Sequence, residues 1–294
     1  MHLKLVAADK TDVGRQREQN EDSVYKRVES AEDGDRGLFI VADGMGGYKA
    51  GEVASKLAIE TISKVLDSFF KPLPDQPTIK LNPSSLDEDE TIKLSPKSSV
   101  DSGNQKTRML SETSLVPDIE NQLATAIQQA NTAILRYGER QTAARGLGST
   151  VTAALVRNEE AFIANVGDSR TYLLRDGELT RLTRDHSLVQ RLVEAKQISP
   201  EDVYTHPQRN LIYRSLGAGH KNIEVDIFHE NLRPGDKLLL CSDGLWEMVR
   251  HEDLRDMLGK HLNPQAICEK LITMANESGG EDNITAIVVH VSAH

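Results

Sequence analysis

Asp43, Asp168, Asp243 and Asp282 are the side chains whose setting suggests chemistry. "LFIVA" runs into Asp43-Gly44, "KLLLCS" into Asp243-Gly244, and "FIANVG" into Asp168-Ser169. Asp282 stands just before the apolar run "NITAIVV", and "NED" near the N-terminus adds Glu21 and Asp22, with Arg17 close by. A single Asp-Gly pair is most simply a hairpin turn. Asp176-Gly177 in "YLLRDGELTRL" has that character, because the runs on both sides alternate as two half-buried strands do. Asp43 and Asp243 differ from it. The runs before them are continuously apolar, as in strands covered on both faces. The stretches after them, "MGGYKAGEVAS" and "LWEMV", enter a helix and not a return strand.

A carboxylate at the end of a buried strand is costly unless it is paired or bound to a metal. Several at one edge would repel each other, and the motifs offer few basic partners beyond Arg17 and Arg170. A divalent cation relieves the repulsion directly. Oxygen ligands without His or Cys point to Mg2+ or Mn2+ with water completing the shell. The glycines let backbone carbonyls and waters approach closely. Two such ions, about 3.5–4 Å apart, can share a carboxylate and hold a hydroxide for in-line attack on phosphorus.

The flanking elements are legible in outline. "LKLVAADKT" and "GLFIVADG" read as strands. "AGEVASKLAIETISKVLDSFF" has helical spacing, as do "IENQLATAIQQANTAILRYGERQ", "HEDLRDMLG", "PQAICEKLITMANESG" and roughly Leu188 to Lys196. "STVTAALVRN", "EAFIANVGDS", "RTYLLRDGELTRLT", "DKLLLCSDGL" and "NITAIVVHV" read as strands. Blocks of strands joined mostly by hairpins and alternating with helix pairs predict an α+β fold and not a parallel βαβ sheet.

The 294 residues suffice for one large core, and a net charge of −10 offers no basic footprint for nucleic acid. No apolar run approaches a membrane span and the N-terminus lacks a secretory pattern, so a cytoplasmic protein away from membranes is expected. Cys241 and Cys268 are expected as buried reduced thiols. Between about 71 and 117 the composition changes: six of the ten prolines fall there and no aromatic residue does. That predicts a disordered insertion. It carries a small repeat, "TIKLNPSS" at Thr78 and "TIKLSPKS" at Thr91. A solvated loop is the plain reading; a phospho-acceptor tether for a partner's phosphothreonine reader is the sharper one.

Eight motifs occur in order: "RxxNED" (Arg17, Asn20, Glu21, Asp22), "VADGMGG", "GLGSTVTAALV", "NVGDSR", "LTRDHS", "HPQRNLIYRSLG", "CSDGLWEMV" and "GGEDNITAIVV". Together they resemble the PP2C (PPM) family of metal-dependent protein serine/threonine phosphatases, in its compact bacterial form. The resemblance covers all but about 71–117. It implies a four-layer αββα sandwich: two antiparallel sheets flanked by helix pairs, one domain over 1–294, with a flap at about 184–214 beside a metal cleft. It further implies two Mn2+ or Mg2+ ions and a weaker third. Asp43 would bridge the two, with the Gly44 carbonyl on the second; Asp243 and Asp282 would hold the first. Asp22 and Glu21 would lie beside the second, mostly through water, and Asp168 with Asp243 would form the third site. Arg17 would grip phosphate.

The reaction so implied is hydrolysis of phosphoserine and phosphothreonine by a metal-bridging hydroxide without a phosphoenzyme. The expected partners are phosphorylated proteins, substrates of a Ser/Thr kinase and the kinase itself, met by a monomer. The general acid is not assigned. Tyr48 stands where bacterial members carry His, Met45 where eukaryotic ones often do, and Tyr48 reads best as a cleft wall. His186 reads as a satisfied strand-end histidine and Trp246 as core packing. The alternatives are a non-catalytic phosphoprotein-binding module on the same fold and a structural cation-binding protein. Intact Asp43, Gly44, Asp243 and Asp282 argue against the first, and Arg17 beside the cluster against the second.

Overall fold

The computed structural model describes residues 2–31, 34–46, 50–70, 119–141 and 146–294. The expected insertion at about 71–117, with Thr78 and Thr91, lies outside the described residues, as does Tyr48. In chain order the elements are β1 (Leu3–Asp12), β2 (Asp22–Ala31), β3 (Gly34–Met45), α1 (Ala50–Val65), α2 (Asp67–Phe70), α3 (Ile119–Arg140), β4 (Gly148–Ser149), β5 (Val151–Arg157), β6 (Glu160–Val166), β7 (Arg170–Arg175), β8 (Glu178–Arg181), α4 (Leu188–Glu194), a 3-10 turn (Pro200–Tyr204), β9 (Leu216–Gly217), β10 (Asp226–Asn231), β11 (Lys237–Cys241), α5 (Asp243–Trp246), α6 (His251–Gly259), α7 (Pro264–Glu277) and β12 (Ile284–Ala293).

The strands form two sheets. One runs β1-β12-β11-β7-β8; the other runs β10-β6-β5-β3-β4-β9, with β2 paired to β3. Every pairing in both is antiparallel. The sheets pack face to face through Leu5, Phe39, Val41, Ile163, Leu238, Leu240 and Ile287. The outer face of the second sheet is covered by α1 and α3, through residues such as Ala54, Ile62, Leu123 and Ile127. The outer face of the first is covered by α6 and α7, through Leu254, Leu258, Ile267 and Leu271. The fold is thus the α+β sandwich of four layers, α-β-β-α. The central strands β3, β5 and β11 are buried on both faces, so their sequences are apolar runs without alternation.

The hairpin at Asp176-Gly177 is confirmed: φ is +53° and +82° there, and Arg175 pairs with Glu178 across the turn. One expectation is corrected. "DKLLLCSDGL" is not strand throughout, because β11 ends at Cys241 and Asp243 opens the one-turn helix α5 behind an extended Ser242. Asp243 therefore stands at the point where strand becomes helix. Among the described residues no helix is long and apolar enough to cross a membrane.

Candidate active site

The ends of β3 and β11 and the start of β12 meet at one edge of the sandwich. A pocket of about 240 Å3 there is lined by Arg17, Glu21, Asp43, Gly44, Asp168, Asp243 and Asp282, with Asn210 and Ile212 arriving from the stretch between the 3-10 turn and β9. A larger cavity of about 680 Å3 lies between β7, α4 and the start of α6. Its arginines are already engaged: Arg170 is locked to Asp185, Arg181 to Asp185 and Gln190, and Arg250 lies over Tyr204. Its acidic lining residues, Glu201, Glu252 and Asp253, lie on the 3-10 turn and at the start of α6 and not at strand ends, so the smaller pocket, which gathers Asp43, Asp168, Asp243 and Asp282, is the candidate site.

Backbone geometry fixes Asp43. Its N–H donates to Thr150 Oγ1 at 3.1 Å, and its carbonyl accepts from the Thr150 N–H at 2.8 Å and from Ser149 Oγ at 3.0 Å. Gly44 must be glycine: a Cβ there would fall on the Gly51 carbonyl and the Glu21 carbonyl. That close approach brings the first turn of α1 and the "NED" segment onto the end of β3. The Glu21 carboxylate accepts the Gly51 N–H at the N-terminal end of α1, where the helix favours negative charge.

Asp22 sits opposite Asp43 in the β2–β3 register but behind the pocket lining. Its Oδ2 accepts from Ser242 Oγ at 2.7 Å and Thr285 Oγ1 at 2.6 Å. The chain of donors continues outward, with Thr11 beside Thr285 and Asn20 Nδ2 donating to Thr11. The sequence reading did not single out Ser242, Thr285 or Asn283. Asn283 accepts the Glu21 N–H at 2.7 Å and donates to the Val13 and Gln19 carbonyls, so it splices the N-terminal segment to β12. Its only signal was its place inside a motif already quoted for Asp282.

The pocket is electrostatically strained. Burial, then repulsion from Asp243, Asp22, Asp168 and Asp282, drives the Asp43 carboxyl well above its usual range. Asp243 is raised in the same way, by burial and then by Asp168 and Asp282. Asp168 is pushed up to about 7, by burial and then by Asp185 and Glu247. Asp22 is pushed up to about 6 by burial, against the two hydroxyl bonds it accepts. Asp22 Oδ1 and Asp243 Oδ1 are buried with no donor facing them. An all-oxygen set with orphaned carboxylate oxygens and mutual repulsion fits a hard divalent cation.

Arg17 and Asp282 meet at the mouth of the pocket. Arg17 Nη2 donates to Asp282 Oδ2 at 2.6 Å, with the guanidinium half exposed at the mouth. Among the described residues no three His, Cys, Asp or Glu side chains stand in a ready-made ligand arrangement. Asp282 is held by Arg17 and Asp22 by its hydroxyls, so closing the set on an ion means exchanging those partners. Arg209, between the 3-10 turn and β9, spans the rim from Glu247 at 3.1 Å to Glu281 at 2.8 Å.

The two cautious readings hold. His186 is fully buried with both ring nitrogens engaged. Trp246 is buried, and it adds a bond the sequence did not suggest, donating Nε1–H to the Asp168 carbonyl at 3.0 Å. Cys241 and Cys268 are buried free thiols.

With this geometry in hand, known proteins offer close parallels. The family described as Protein phosphatase 2C matches residues 14–278. The chain is 36% identical to the serine/threonine phosphatase stp of Listeria welshimeri, over 95% of this chain and 93% of that protein. It is also 36% identical to the serine/threonine protein phosphatase PstP of Mycobacterium tuberculosis, over 98% of this chain and 45% of that longer protein. Among solved structures, Stp1 of Staphylococcus aureus superposes with a TM-score of 0.76 at 30% identity, covering 100% of this chain and 98% of that one. The catalytic domain of a PstP in complex with two manganese ions gives a TM-score of 0.74 at 33% identity, covering 99% and 100%.

Proposed function

This chain belongs to the protein phosphatase 2C family of protein serine/threonine phosphatases, and from that premise we propose that it hydrolyses phosphoserine and phosphothreonine on proteins at the carboxylate pocket, with two Mn2+ or Mg2+ ions held there. The pair of manganese ions in the PstP relative supports the count. The donor set supports the assignment of ligands. Asp43 would serve both ions and the Gly44 carbonyl the second, Asp243 and Asp282 the first, and Glu21 and Asp22 the surroundings of the second. Asp168 and Asp243 would serve a weaker third ion. Such ions, when bound, would supply charge to offset the phosphoryl oxygens and would lower the pKa of nearby water.

The protein's own residues do the rest. Arg17 exchanges Asp282 for the substrate phosphate, where its planar fork meets two oxygens. No side chain needs to carry the phosphoryl group. Burial pushes the Cys241 and Cys268 thiols up, the latter to about 12, so neither supplies a thiolate. Asn210 and Ile212 of the flap stretch, about 184–214, shape the entrance. The substrates are proteins phosphorylated by a Ser/Thr kinase, and the kinase is among them; the enzyme acts as a cytoplasmic monomer. Phosphorylation at Thr78 or Thr91 would tie the insertion to that signalling.

The observation that carries this reading is the convergence of acidic side chains from both sheets on one pocket with an arginine at its mouth. The test is Mn2+-dependent release of phosphate from a phosphothreonine peptide. Activity is expected to depend on added metal and to fall by a factor of at least ~1000 in Asp43→Ala. Peptide binding without turnover in the parent protein would instead mark a non-catalytic binding module.

A further inference from the structure

Asp168 leaves β6 through a turn that the segment opening the flap holds on both flanks. Gly167 has φ of +110°, and a Cβ there would lie 2.6 Å from the Thr150 side chain. The His186 main-chain N–H donates to the Gly167 carbonyl at 2.8 Å. The Gly167 N–H in turn donates to His186 Nδ1 at 3.0 Å. One residue thus pinches Gly167 from both sides. On the other flank, the Asp168 carbonyl accepts from Trp246 Nε1. Trp246 lies 3.4 Å beneath the Arg170 guanidinium, and Arg170 is locked to Asp185 at 2.6 Å. The neighbours Asp185 and His186 therefore hold the two flanks of Asp168.

The ring also has a defined tautomer. A backbone N–H facing Nδ1 leaves the neutral ring's proton on Nε2, where Asp226 Oδ2 stands 3.1 Å away as acceptor and Arg214 Nη1, from the far end of the flap, lies 3.0 Å away. Arg214 Nη1 holds the other oxygen of Asp226 at 2.7 Å. The far end of the flap closes on the same residue: the His186 carbonyl accepts the Tyr213 N–H at 2.9 Å, and the Leu188 N–H donates to the Leu211 carbonyl at 2.8 Å. Ser187 and Ile212 form a bridge between these two segments, and Ile212 lines the catalytic pocket.

We infer that His186 is a positioning residue of the phosphatase: its neutral ring and its main chain together tie both ends of the flap to the Gly167–Asp168 turn and so set the Asp168 carboxylate in the pocket. The inference rests on the reading of Asp168 as part of the site. The His186 side chain touches neither substrate nor metal, so its loss falls on turnover and leaves phosphate gripping to Arg17.

Four variants test it: His186→Ala, His186→Asn, His186→Gln and Asp168→Asn. Asn carries an oxygen near the position of Nδ1 and can accept the Gly167 N–H; Gln carries its polar atoms at the Nε2 end. His186→Ala is expected to lower kcat on a phosphothreonine peptide about tenfold, the scale of one lost buried hydrogen bond, with KM moved less than about twofold. His186→Asn is expected to recover most of that loss and His186→Gln little of it. Amide exchange at Gly167, read by NMR without any activity, is expected to quicken in the Ala and Gln variants and stay slow in the Asn variant. Equal kcat in folded Asn and Gln variants overturns the inference, as does unchanged Gly167 exchange in His186→Gln. Should the Ala variant not fold, the Asn and Gln pair still decides. Asp168→Asn separates the two readings: wild-type turnover there removes Asp168 from the site, whatever Gly167 does.

Discussion

At the scale of single residues, the carboxylates of the pocket are held where they are least comfortable. Asp168 is displaced from 3.8 to about 7, and the first cause is burial. A carboxyl group with a raised pKa in the fold binds its proton more tightly folded than unfolded. Its contribution to stability is present in full below about pH 4 and is lost as the pH rises toward 7. Each unit of displacement corresponds to ~1.4 kcal/mol at most, and relaxation of the pocket reduces it. His186 and His290 act with the opposite sign: burial lowers both, His290 to about 4, so they add stability as the pH rises through the same acidic range. The net pH profile therefore mixes the two, and a difference between variants isolates the carboxylate. In metal-free protein kept in EDTA, Asp168→Asn is expected to melt higher than the parent. The gap should widen from about pH 4 to about pH 7 and then level off. A gap that is constant or shrinks over that window would contradict the electrostatic picture of the site. Chemistry of this kind was partly legible in sequence. Asp43, Asp243 and Asp282 could be picked out because each interrupts or precedes an apolar run. Ser242 and Thr285, which hold Asp22 in place, could not, because a hydroxyl inside a strand motif looks the same whether or not a carboxylate lies behind it.

At the scale of elements, the site depends on how closely a helix can press against a strand end. The first turn of α1 lies against the tip of β3, and Gly51 is the contact. A Cβ at Gly51 would come 2.7 Å from Glu21 Cδ and 2.8 Å from the Gly44 carbonyl carbon. Gly51→Ala is therefore expected to push α1 off the strand, at about 1–3 kcal/mol as overpacking usually costs. It should weaken Mn2+ binding as well, because Glu21 and the Gly44 carbonyl move with the contact. Urea midpoints and a Mn2+ titration of the same sample check both parts. A variant as stable as the parent with unchanged Mn2+ affinity would show that the close approach is dispensable. The sequence showed the crowding of glycines after Asp43 without showing what approaches them. It also missed β2, whose "DSVYKRVESA" is half-buried and polar enough to pass for loop. And it ran the β11 strand on into Asp243, since nothing in "LLLCSDG" marks where extended backbone turns into a helical turn. Strands β3, β5 and β12 were legible because doubly covered strands have to be apolar along their whole length.

At the scale of the molecule, the pocket exists only when the two sheets are packed together. Asp43 comes from the second sheet; Asp243 and Asp282 come from the ends of β11 and β12 in the first. The N-terminal segment carrying Arg17, Glu21 and Asp22 joins them through Asn283, and β1 pairs with β12 from Leu3↔Ala293 to Asp12↔Ile284. Periodicity could announce the layers but not this closure, which brings residues about 260 positions apart into contact; only the ordered motifs, read as a set, carried that information. No local fragment reproduces the ligand set, so a metal that binds it binds the native state alone. Mass action then couples the ion to global unfolding by RT ln(1 + [L]/Kd), about 2.7 kcal/mol when free metal exceeds Kd a hundredfold. For a domain of this size 1 kcal/mol moves the midpoint by roughly 2–4 °C. Saturating Mn2+ is therefore expected to raise the melting temperature of the parent by about 5–10 °C over the EDTA sample. Asp243→Asn changes the balance at both ends. Removing a carboxylate crowded by Asp168 and Asp282, with one buried oxygen unpartnered, should raise the EDTA midpoint, and losing a ligand should erase most of the Mn2+ increment. Crossed signs in one variant are what distinguish a site built around ions from an acidic surface that merely tolerates them. If Asp243→Asn lowered the EDTA midpoint and kept the full Mn2+ increment, the carboxylates would not be working against each other for want of a cation.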